Sequence, residues 1–418
     1  MNSNYIKKKT SVFEHKWVFC SQSIIDFFDS NSENSILNIQ HAKLKFIYIV
    51  RFLVICVKSF FRIFYYYISQ FFSIRSLDLE SSKCIVFESD IEYRHYNFFR
   101  IRKKFCKEYK IIQGFDFNKL KRFGRVSAFD MMMQFLISIR QFYLTIENTP
   151  AQTRNMLLAN GAYNISVYVY LHCFMRCVNS NCNIFMGSGT SLLAFAFTSL
   201  NFNSIYISHG LIFKVNPLIF PDYKEIYVYS YDEKIYLQNI GLKSDISVYN
   251  FKKVNVKNKA VIIFLSNDDS DNLDQISQMI ELFKFYNYKI YFKYHPLVSS
   301  ADRVNLLYKD DVIDNKIFYD ASSSILNVMP SFTVSVKSST SSCESLNMGV
   351  IPIFFDVKKS SILYNEYKKN ELNFVYPFEL RSISWHNESN IVHDILANNI
   401  NYTDAINMLK FRQLNELS

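Results

Sequence analysis

Short apolar runs, polar or glycine-containing turns and stretches with helical spacing follow one another twice along this chain. The apolar runs are rich in β-branched and aromatic residues, which is typical of strands. A strand, a crossover helix and a second strand joined by short links form the βαβ unit of a parallel sheet. The runs are residues 84–88, 184–186, 205–208 and 225–230 in the first part, and 259–265, 289–296, 332–336 and 351–355 in the second. Gly241 and Gly349 are expected to stop two of the helices, and a last strand of the first part is expected after Gly241.

The length supports a division of the chain into parts. A chain of 418 residues exceeds the size at which one hydrophobic core keeps growing, so two domains are expected. We predict the α/β class, with two Rossmann-like parallel-sheet domains facing a cleft. The predicted parts are a helical N-terminal extension over 1–80, the two domains over 81–250 and 251–385, and C-terminal helices over 386–418.

The segment 44–75 is long and apolar, but Arg51, Lys58 and Arg62 interrupt it. On a helical wheel these three residues fall within about 40° of one another, and apolar and aromatic side chains cover the remaining surface. A helix in the membrane interface can keep such a stripe among lipid phosphates, whereas a spanning helix would bury the charges at a high cost. Interfacial contact is the main expectation; a packed helix with a solvated stripe and a true span are the alternatives.

Charge and cysteine usage narrow the class of protein. A net charge of +10 suits nucleic acid or an anionic membrane, and the basic apolar segment favours the membrane, with no nucleic acid as partner. His172, Cys173, Cys177 and Cys182 invite a zinc interpretation, but their spacing matches no known finger or ribbon, so buried thiols in a reducing compartment are expected and no metal. The polar start of the chain predicts no secretory signal. The expected location is cytoplasmic, peripheral on the inner face of a bacterial inner membrane.

Candidate chemistry in the first domain follows two predicted strands. Residues 187–190 (Gly-Ser-Gly-Thr) form a glycine turn before a helix, whose free N–H groups could hold an anion; the residues are Gly187, Ser188, Gly189 and Thr190. His209 and Gly210 end the next strand, where ligands gather in open α/β sheets. A histidine there can accept a proton from an attacking hydroxyl, but it could equally be a structural histidine in a turn.

The second domain holds the stronger candidates. Lys293, His295 and Pro296 end a strand, with the lysine and the histidine on one side, which suits a diphosphate or a phosphodiester. Consecutive hydroxyl residues precede a helix and could cap its N–H groups or bind phosphate oxygens; the candidates are Ser338, Ser339, Thr340 and Ser341. Glu344, about one turn into the helix, could accept hydrogen bonds from ribose hydroxyls. A merely capped helix explains one serine and the glutamate, but not the whole run.

These motifs, in the order in which they follow along the chain, resemble those of the GT-B glycosyltransferases of bacterial capsule and lipopolysaccharide assembly. The resemblance covers about residues 183–355 and rests on His209-Gly210, Lys-x-His-Pro at 293–296 and Ser-Ser-(x)4-Glu at 338–344. The His-Pro and Ser-Ser motifs are similar to those of bacterial sialyltransferases and Kdo transferases. That similarity implies that His295 and residues 338–340 contact the phosphate of a CMP-sugar and that Glu344 lies near its ribose. The His-Gly pair also resembles that of teichoic-acid glycerophosphate polymerases, which implies that His209 is the catalytic base.

The resemblance implies a metal-independent enzyme with no cofactor, which transfers a sugar such as Kdo or sialic acid from a nucleotide donor. The acceptor would be a growing polysaccharide or a lipid-linked oligosaccharide. The acidic motif of the sialyltransferases is absent; Asp90 or Glu92, just past the first strand, could supply an acid instead. Alternatives are a UDP-sugar transferase, a glycerophosphate-type polymerase, a UDP-sugar 2-epimerase of the same fold, and a non-catalytic assembly protein.

Overall fold

The protein is an α/β molecule with two parallel sheets, seen in a computed structural model. The model describes residues 15–20, 46–72, 84–88, 100, 103, 110–113, 126–149, 151–187, 189–208, 219–255, 257–265, 273–294, 313, 320–335, 340–355 and 381–411. The strands are β1 Cys84–Glu88, β2 Lys110–Gln113, β3 Asn183–Met186, β4 Asn203–Ile207, β5 Glu225–Val228, β6 Asp245–Val248, β7 Asn258–Leu265, β8 Lys289–Tyr294, β9 Pro330–Ser335, β10 Ile351–Phe354 and β11 Ile383–Ser384. The helices are α1 Phe46–Ser69, α2 Ala128–Asn148, α3 Ala151–Arg176, α4 Leu192–Ser199, α5 Tyr231–Asn239, α6 Leu273–Phe285, α7 Ala321–Val328, α8 Thr340–Met348, α9 Trp385–Leu396 and α10 Tyr402–Phe411.

The strands of the two sheets are arranged in the same way. The first has the order β2-β1-β3-β4-β5-β6, and the second has the order β11-β10-β9-β7-β8. All pairings within them are parallel. In each sheet the first strand lies inside, with the next strand on one side and the later strands on the other. The strand order therefore reverses between β1 and β3 in the first sheet and between β7 and β9 in the second.

Helix ends are set by local chemistry. Ser230 and Glu233 form a capping box at the start of α5, in which each side chain bonds the backbone N–H of the other residue. Gly241 and Gly349 follow the ends of α5 and α8 with φ of 87° and 83°, a left-handed conformation that only glycine adopts at low cost. Both glycines were expected to stop these helices, and the positive φ angles confirm it.

One face of the first sheet is covered by two helical layers. α3 is 26 residues long and buries 17 of them, because it lies between the sheet side and an outer pair of helices, α1 and α2. The short helical turn Lys16–Phe19 joins this layer, where the ring of Trp17 stacks on Tyr168 with centroids 4.4 Å apart. The other face of β3, β4 and β5 shares a hydrophobic cluster with the second sheet, through Phe185, Ile205 and Tyr227 among others.

The predicted strands are confirmed in both sheets, within about two residues at their ends. The helices α2, α3 and α7 and the strands β2 and β11 have no counterpart among the sequence predictions. α9 and α10 lie in the C-terminal part, for which helices were predicted from residue 386. The boundaries proposed for the domains stay predictions. Among the helices in the described ranges, none is both long enough and apolar enough to cross a membrane.

Gly161 allows α2 and α3 to approach each other closely. A Cβ at this position would lie 2.5 Å from Cζ of Phe142, whose ring is fully buried. Helix propensity alone predicts that Gly161→Ala stabilises the protein by about 1 kcal/mol. Overpacking against a ring that cannot move costs about 1–3 kcal/mol, so we expect a lower free energy of unfolding in urea. Phe142→Leu should relieve the clash, making the alanine less harmful in that background. A gain in stability for Gly161→Ala would contradict the close packing.

His172 predicts a pH dependence of stability. Burial, and then the nearby Arg176, lowers the pKa of His172 from 6.5 to about 4. Between pH 6.5 and pH 4 the unfolded chain binds a proton at His172 that the folded chain does not. The free energy of unfolding is therefore unaffected by His172 above pH 6.5 and falls as the pH drops from 6.5 towards 4. We expect the wild type to lose on the order of 2 kcal/mol more than His172→Gln between pH 7 and pH 5, measured by urea unfolding. His386→Gln, at an exposed histidine of α9, serves as control. Equal losses for wild type and His172→Gln would refute the prediction.

Candidate functional site

The strand order directs attention to one edge of each sheet. In doubly wound sheets, ligands bind beyond the carboxyl ends of the strands at the point where the strand order reverses. In the first sheet this point lies between β1 and β3, and in the second it lies between β7 and β9. The glycine turn follows β3 directly, and the hydroxyl run follows β9. Both motifs picked from the sequence therefore leave the sheets at their reversal points.

The glycine turn after β3 is held by aromatic side chains. The hydroxyl of Tyr223 donates to the carbonyl of Gly189 at 3.0 Å. A Cβ on Gly189 would lie 3.3 Å from the ring of Phe220 and from the hydroxyl of Tyr206, so the turn has little room for a side chain. The hydroxyl of Ser191 accepts the N–H of Ala194 at 3.1 Å and caps α4. Gly187 is buried and Thr190 is half-buried, whereas Ser188 lies outside the described residues.

The strands that precede the other first-domain candidates end at this edge. Phe87, Met186 and Tyr206 are in register on β1, β3 and β4, so the segments that follow these strands leave the same edge. Asp90, Glu92, His209 and Gly210 come just after β1 and β4, outside the described residues.

The residue before His209 is firmly anchored. The N–H of Ser208 donates to the carbonyl of Tyr227 at 3.2 Å, and its carbonyl accepts the hydroxyl of Tyr249 at 2.5 Å. Tyr249 is fully buried, and burial, followed by nearby tyrosines and carboxylates, raises the pKa of its hydroxyl well above 10. Tyr249 therefore remains a proton donor at all physiological pH values. The backbone of Ser208, immediately before His209, is thus fixed.

The two second-domain motifs leave the sheet on either side of β7. Phe264 of β7 is in register with Lys293 of β8 and with Ser335 of β9. Neighbouring strands lie about 4.8 Å apart, so Lys293 and Ser335 are roughly 10 Å apart and project to one face. Lys293 is 3% exposed. His295 and Pro296, and Ser338 and Ser339, lie outside the described residues.

Hydroxyl groups fasten the start of α8 to β9. The hydroxyls of Ser335 and Ser341 are 2.8 Å apart, and that of Ser342 donates to Ser335 at 3.2 Å. One turn further along, Thr333 donates to Ser345 at 2.8 Å. Ser341 is thus buried and engaged with protein partners, while Thr340 is half-buried. The inner part of the hydroxyl run has a structural role that was not predicted.

Glu344 lies inside the contact between α7 and α8. Its side chain is 1% exposed, and its carboxylate accepts a hydrogen bond from the hydroxyl of Ser322 in the first turn of α7. Asp320 caps α7 by accepting the N–H of Ser323 at 2.8 Å. Burial of a carboxylate is costly unless it is hydrogen-bonded, so α7 is a necessary partner of α8. Glu344, the residue predicted to bind the ribose, is therefore a buried carboxylate between α7 and α8.

Hydrogen bonds around the start of α5 join the two halves of the molecule. The carbonyl of Tyr229, just after β5, accepts hydrogen bonds from the amide of Asn347 at 2.9 Å and from the thiol of Cys343 at 3.7 Å. Arg381 bonds Asp232 of α5 at 3.0 Å. These contacts bring the carboxyl end of β5 against the helix that follows β9.

Tyr229 occupies the middle of this junction. It is fully buried, and burial, followed by the nearby Glu344, Tyr249, Asp320 and Glu233, raises its pKa well above 10. Glu233 is compensated locally, because its carboxylate accepts the N–H groups of Tyr229 and Ser230 at 2.9 and 2.8 Å. Sequence patterns gave no signal for Tyr229, Asp320 or Ser322, since each is an ordinary residue at the end of a strand or the start of a helix.

The cysteine cluster on α3 and beyond consists of free thiols. Cys173 and Cys182 are buried, and Cys177 is half-buried. Burial is the main cause that raises the pKa of Cys173 to about 12, which makes it a poor metal ligand or nucleophile. Within the described ranges, no three His, Cys, Asp or Glu residues are grouped so that they could hold a metal ion.

A groove of about 780 Å³ lies elsewhere, between α6 and α9. It includes Glu281, Trp385, His386 and His393. It shares no residue with the motifs at the strand ends, so it is not part of the candidate site.

The fold defines the class of protein: an α/β protein with two parallel sheets, each of which reverses its strand order. Neither a protein-family model, nor a curated protein, nor a solved structure matches this chain.

The bond between Ser322 and Glu344 predicts a measurable coupling. Ser322→Ala leaves a buried carboxylate with one donor fewer, which should lower the free energy of unfolding by about 1.5–3 kcal/mol. Ser323→Ala is the matched control, because that hydroxyl bonds a backbone carbonyl of its own helix start and is half-buried. Urea unfolding of Ser322→Ala, Glu344→Gln and the double variant measures the coupling. Additive effects of the two substitutions would contradict the bond.

Proposed function

We propose that this chain is a GT-B-type, metal-independent glycosyltransferase that transfers a sugar from a nucleotide donor to a surface polysaccharide or lipooligosaccharide acceptor. One observation carries the proposal: Lys293 on β8 and Ser335 on β9, the strands that precede His295-Pro296 and the hydroxyl run, are in register with Phe264 of β7 between them. A phosphate needs donors from more than one direction, and two segments roughly 10 Å apart at their bases suit a nucleotide diphosphate or monophosphate between them.

The proposed donor site uses the second sheet. Lys293 and His295 would supply positive charge and N–H donors to the phosphate, and the outer hydroxyls Ser338, Ser339 and Thr340 would donate from the opposite side. The start of α8 adds N–H groups that favour negative charge. Glu344 would contact a ribose only if its hydrogen bond with Ser322 breaks or if the ribose approaches from the side of α7. A CMP-sugar is the proposed donor, on the resemblance of these motifs.

The proposed transfer takes place opposite this site. The acceptor hydroxyl attacks the anomeric carbon of the donor sugar while its proton passes to His209. The bond between that carbon and the phosphate oxygen breaks, and the negative charge that develops on the phosphate is stabilised by the second-sheet motifs. Asp90 or Glu92, which follow β1 in the sequence, would act as an acid where the leaving group needs a proton.

Nucleotide binding is the first test. The purified protein should gain thermal stability with CMP or CDP, because a ligand that binds only the folded state stabilises it in proportion to its concentration over Kd. UDP is compared under the same conditions and separates a UDP-sugar enzyme from a CMP-sugar enzyme. If CMP, CDP and UDP all leave the melting temperature unchanged, the proposal is wrong.

Two histidine variants separate binding from catalysis. His295→Ala should abolish the stabilisation by nucleotide. His209→Ala should keep that stabilisation but reduce transfer from a CMP-sugar at least about 100-fold, the usual contribution of a general base. His386→Ala, at an exposed histidine on α9, is the matched control and should behave as the wild type in both assays. Transfer by His209→Ala at the wild-type rate would remove this histidine from the mechanism.

A further inference from the structure

The outer surface of α1 and α2 is apolar on a scale found nowhere else in the described part of the molecule. The described residues include 27 exposed large hydrophobic side chains, of which 14 lie in residues 46–72 and six lie in α2. Phe61, Phe72 and Phe129 are 65%, 84% and 72% exposed. Contiguous apolar surface of this kind marks an interaction site.

The two helices form one continuous platform. The rings of Phe60 and Phe135 are 6.1 Å apart, and those of Phe52 and Tyr143 are 5.3 Å apart. At the far end, the side-chain amide of Gln70 exchanges hydrogen bonds of 3.0 and 2.8 Å with the backbone of Val126. Residue numbers rise along α1 as they fall along α2, so the helices are antiparallel and in contact over roughly 26 Å.

The platform is rigidly supported from below. Ser59 of α1 donates to the carbonyl of Ala162 of α3 at 3.4 Å, and the ring of Tyr66 meets that of Tyr170 at 6.1 Å. On α2, Phe142 packs against Gly161 of α3. The buried faces of both helices thus pack against α3. The exposed apolar side chains are not needed for that packing.

Positive charge borders the apolar surface. Arg51, Lys58 and Arg62 are exposed and project from the flank of α1 that faces away from α2, about 120° from the centre of its apolar arc. Residues 46–72 contain no acidic residue. On α2, exposed Arg140 is accompanied by half-buried Asp130 and exposed Glu147. The charges facing the platform therefore remain positive in balance.

We propose that α1 and α2 together form a membrane-docking platform, which lies in the interface of an anionic bilayer. An aromatic and aliphatic face bordered by lysine and arginine matches the acyl boundary and the headgroup phosphates of such a bilayer. A protein partner or a second copy would not require the basic border. The single apolar helix read from the sequence thus becomes one half of a two-helix surface, and the contribution of α2 is new. The platform stands independently of the proposed transferase activity.

Vesicle binding by the full chain tests the platform. The protein should co-sediment with vesicles of phosphatidylglycerol and phosphatidylcholine, and more weakly with phosphatidylcholine alone. Phe64→Glu and Phe129→Glu should each weaken binding at least about tenfold, since each replaces an apolar contact by a charge. Phe285→Glu and Phe411→Glu are matched controls, because these phenylalanines are each 78% exposed on α6 and α10. The controls should bind as the wild type does.

The charge requirement is tested separately. The double variant Lys58→Glu and Arg62→Glu should lose at least about tenfold in affinity for the anionic vesicles and little for phosphatidylcholine. Equal affinity of the wild type for both vesicle types, or binding that is indifferent to Phe64→Glu and Phe129→Glu, would overturn the proposal.

A spectroscopic measurement distinguishes insertion from other uses of the surface. In Leu136→Trp, the new indole should shift to shorter emission wavelength on vesicle addition and be quenched by brominated acyl chains, whereas Phe285→Trp should not respond. The oligomeric state in the absence of lipid is measured by light scattering. A dimer that Phe129→Glu converts to a monomer, with no quenching of Leu136→Trp, would identify the platform as an interface between copies and overturn membrane docking.

Discussion

The structure depends on the need to satisfy buried polar groups where α8 begins. Glu344 is almost fully buried, and an unpaired carboxylate in that position would cost far more than the marginal stability of a domain permits. Ser322 supplies a hydrogen bond from α7, and hydroxyls of the helix itself bond to β9. The carbonyl of Tyr229 accepts donors from Asn347 and Cys343 of the same helix. One short helix thereby fixes β9, α7 and the end of β5 with respect to each other.

This arrangement divides the hydroxyl run into two parts. Ser341 and Ser342 are buried and bonded to Ser335, so they hold the helix rather than present themselves to a ligand. The outer hydroxyls, from Ser338 to half-buried Thr340, are the ones that could meet a phosphate. A rigid inner layer that supports an outer binding layer is the usual requirement for a precise site, because a ligand group is held only as firmly as its supporting shell. In the proposed donor site, the bonded serines would hold the helix while the rest of the run would bind the phosphate.

The sequence was most informative where strands and glycines were concerned. The apolar runs of both sheets and the helix stops at Gly241 and Gly349 follow directly from β-branched residues and from the left-handed conformation that glycine allows. α3 escaped prediction because it is buried nearly all round, which removes the periodic contrast between apolar and polar positions. The pairing of Glu344 with Ser322 also escaped, because it joins residues 22 positions apart whose contact only the packing of α7 on α8 creates.

The buried helix α3 also explains the unusual surface above it. A helix that is buried over most of its surface needs cover on two sides, and the sheet side supplies only one. α1 and α2 provide the other, and they do so with stripes centred on Ile55 and Ser59 on α1 and on Phe142 on α2. Covering α3 would require only those inner stripes to be apolar, yet the outer faces are apolar as well. Among the described residues, no contact with α3 accounts for these apolar outer faces. The proposed membrane docking accounts both for them and for the basic flank of α1.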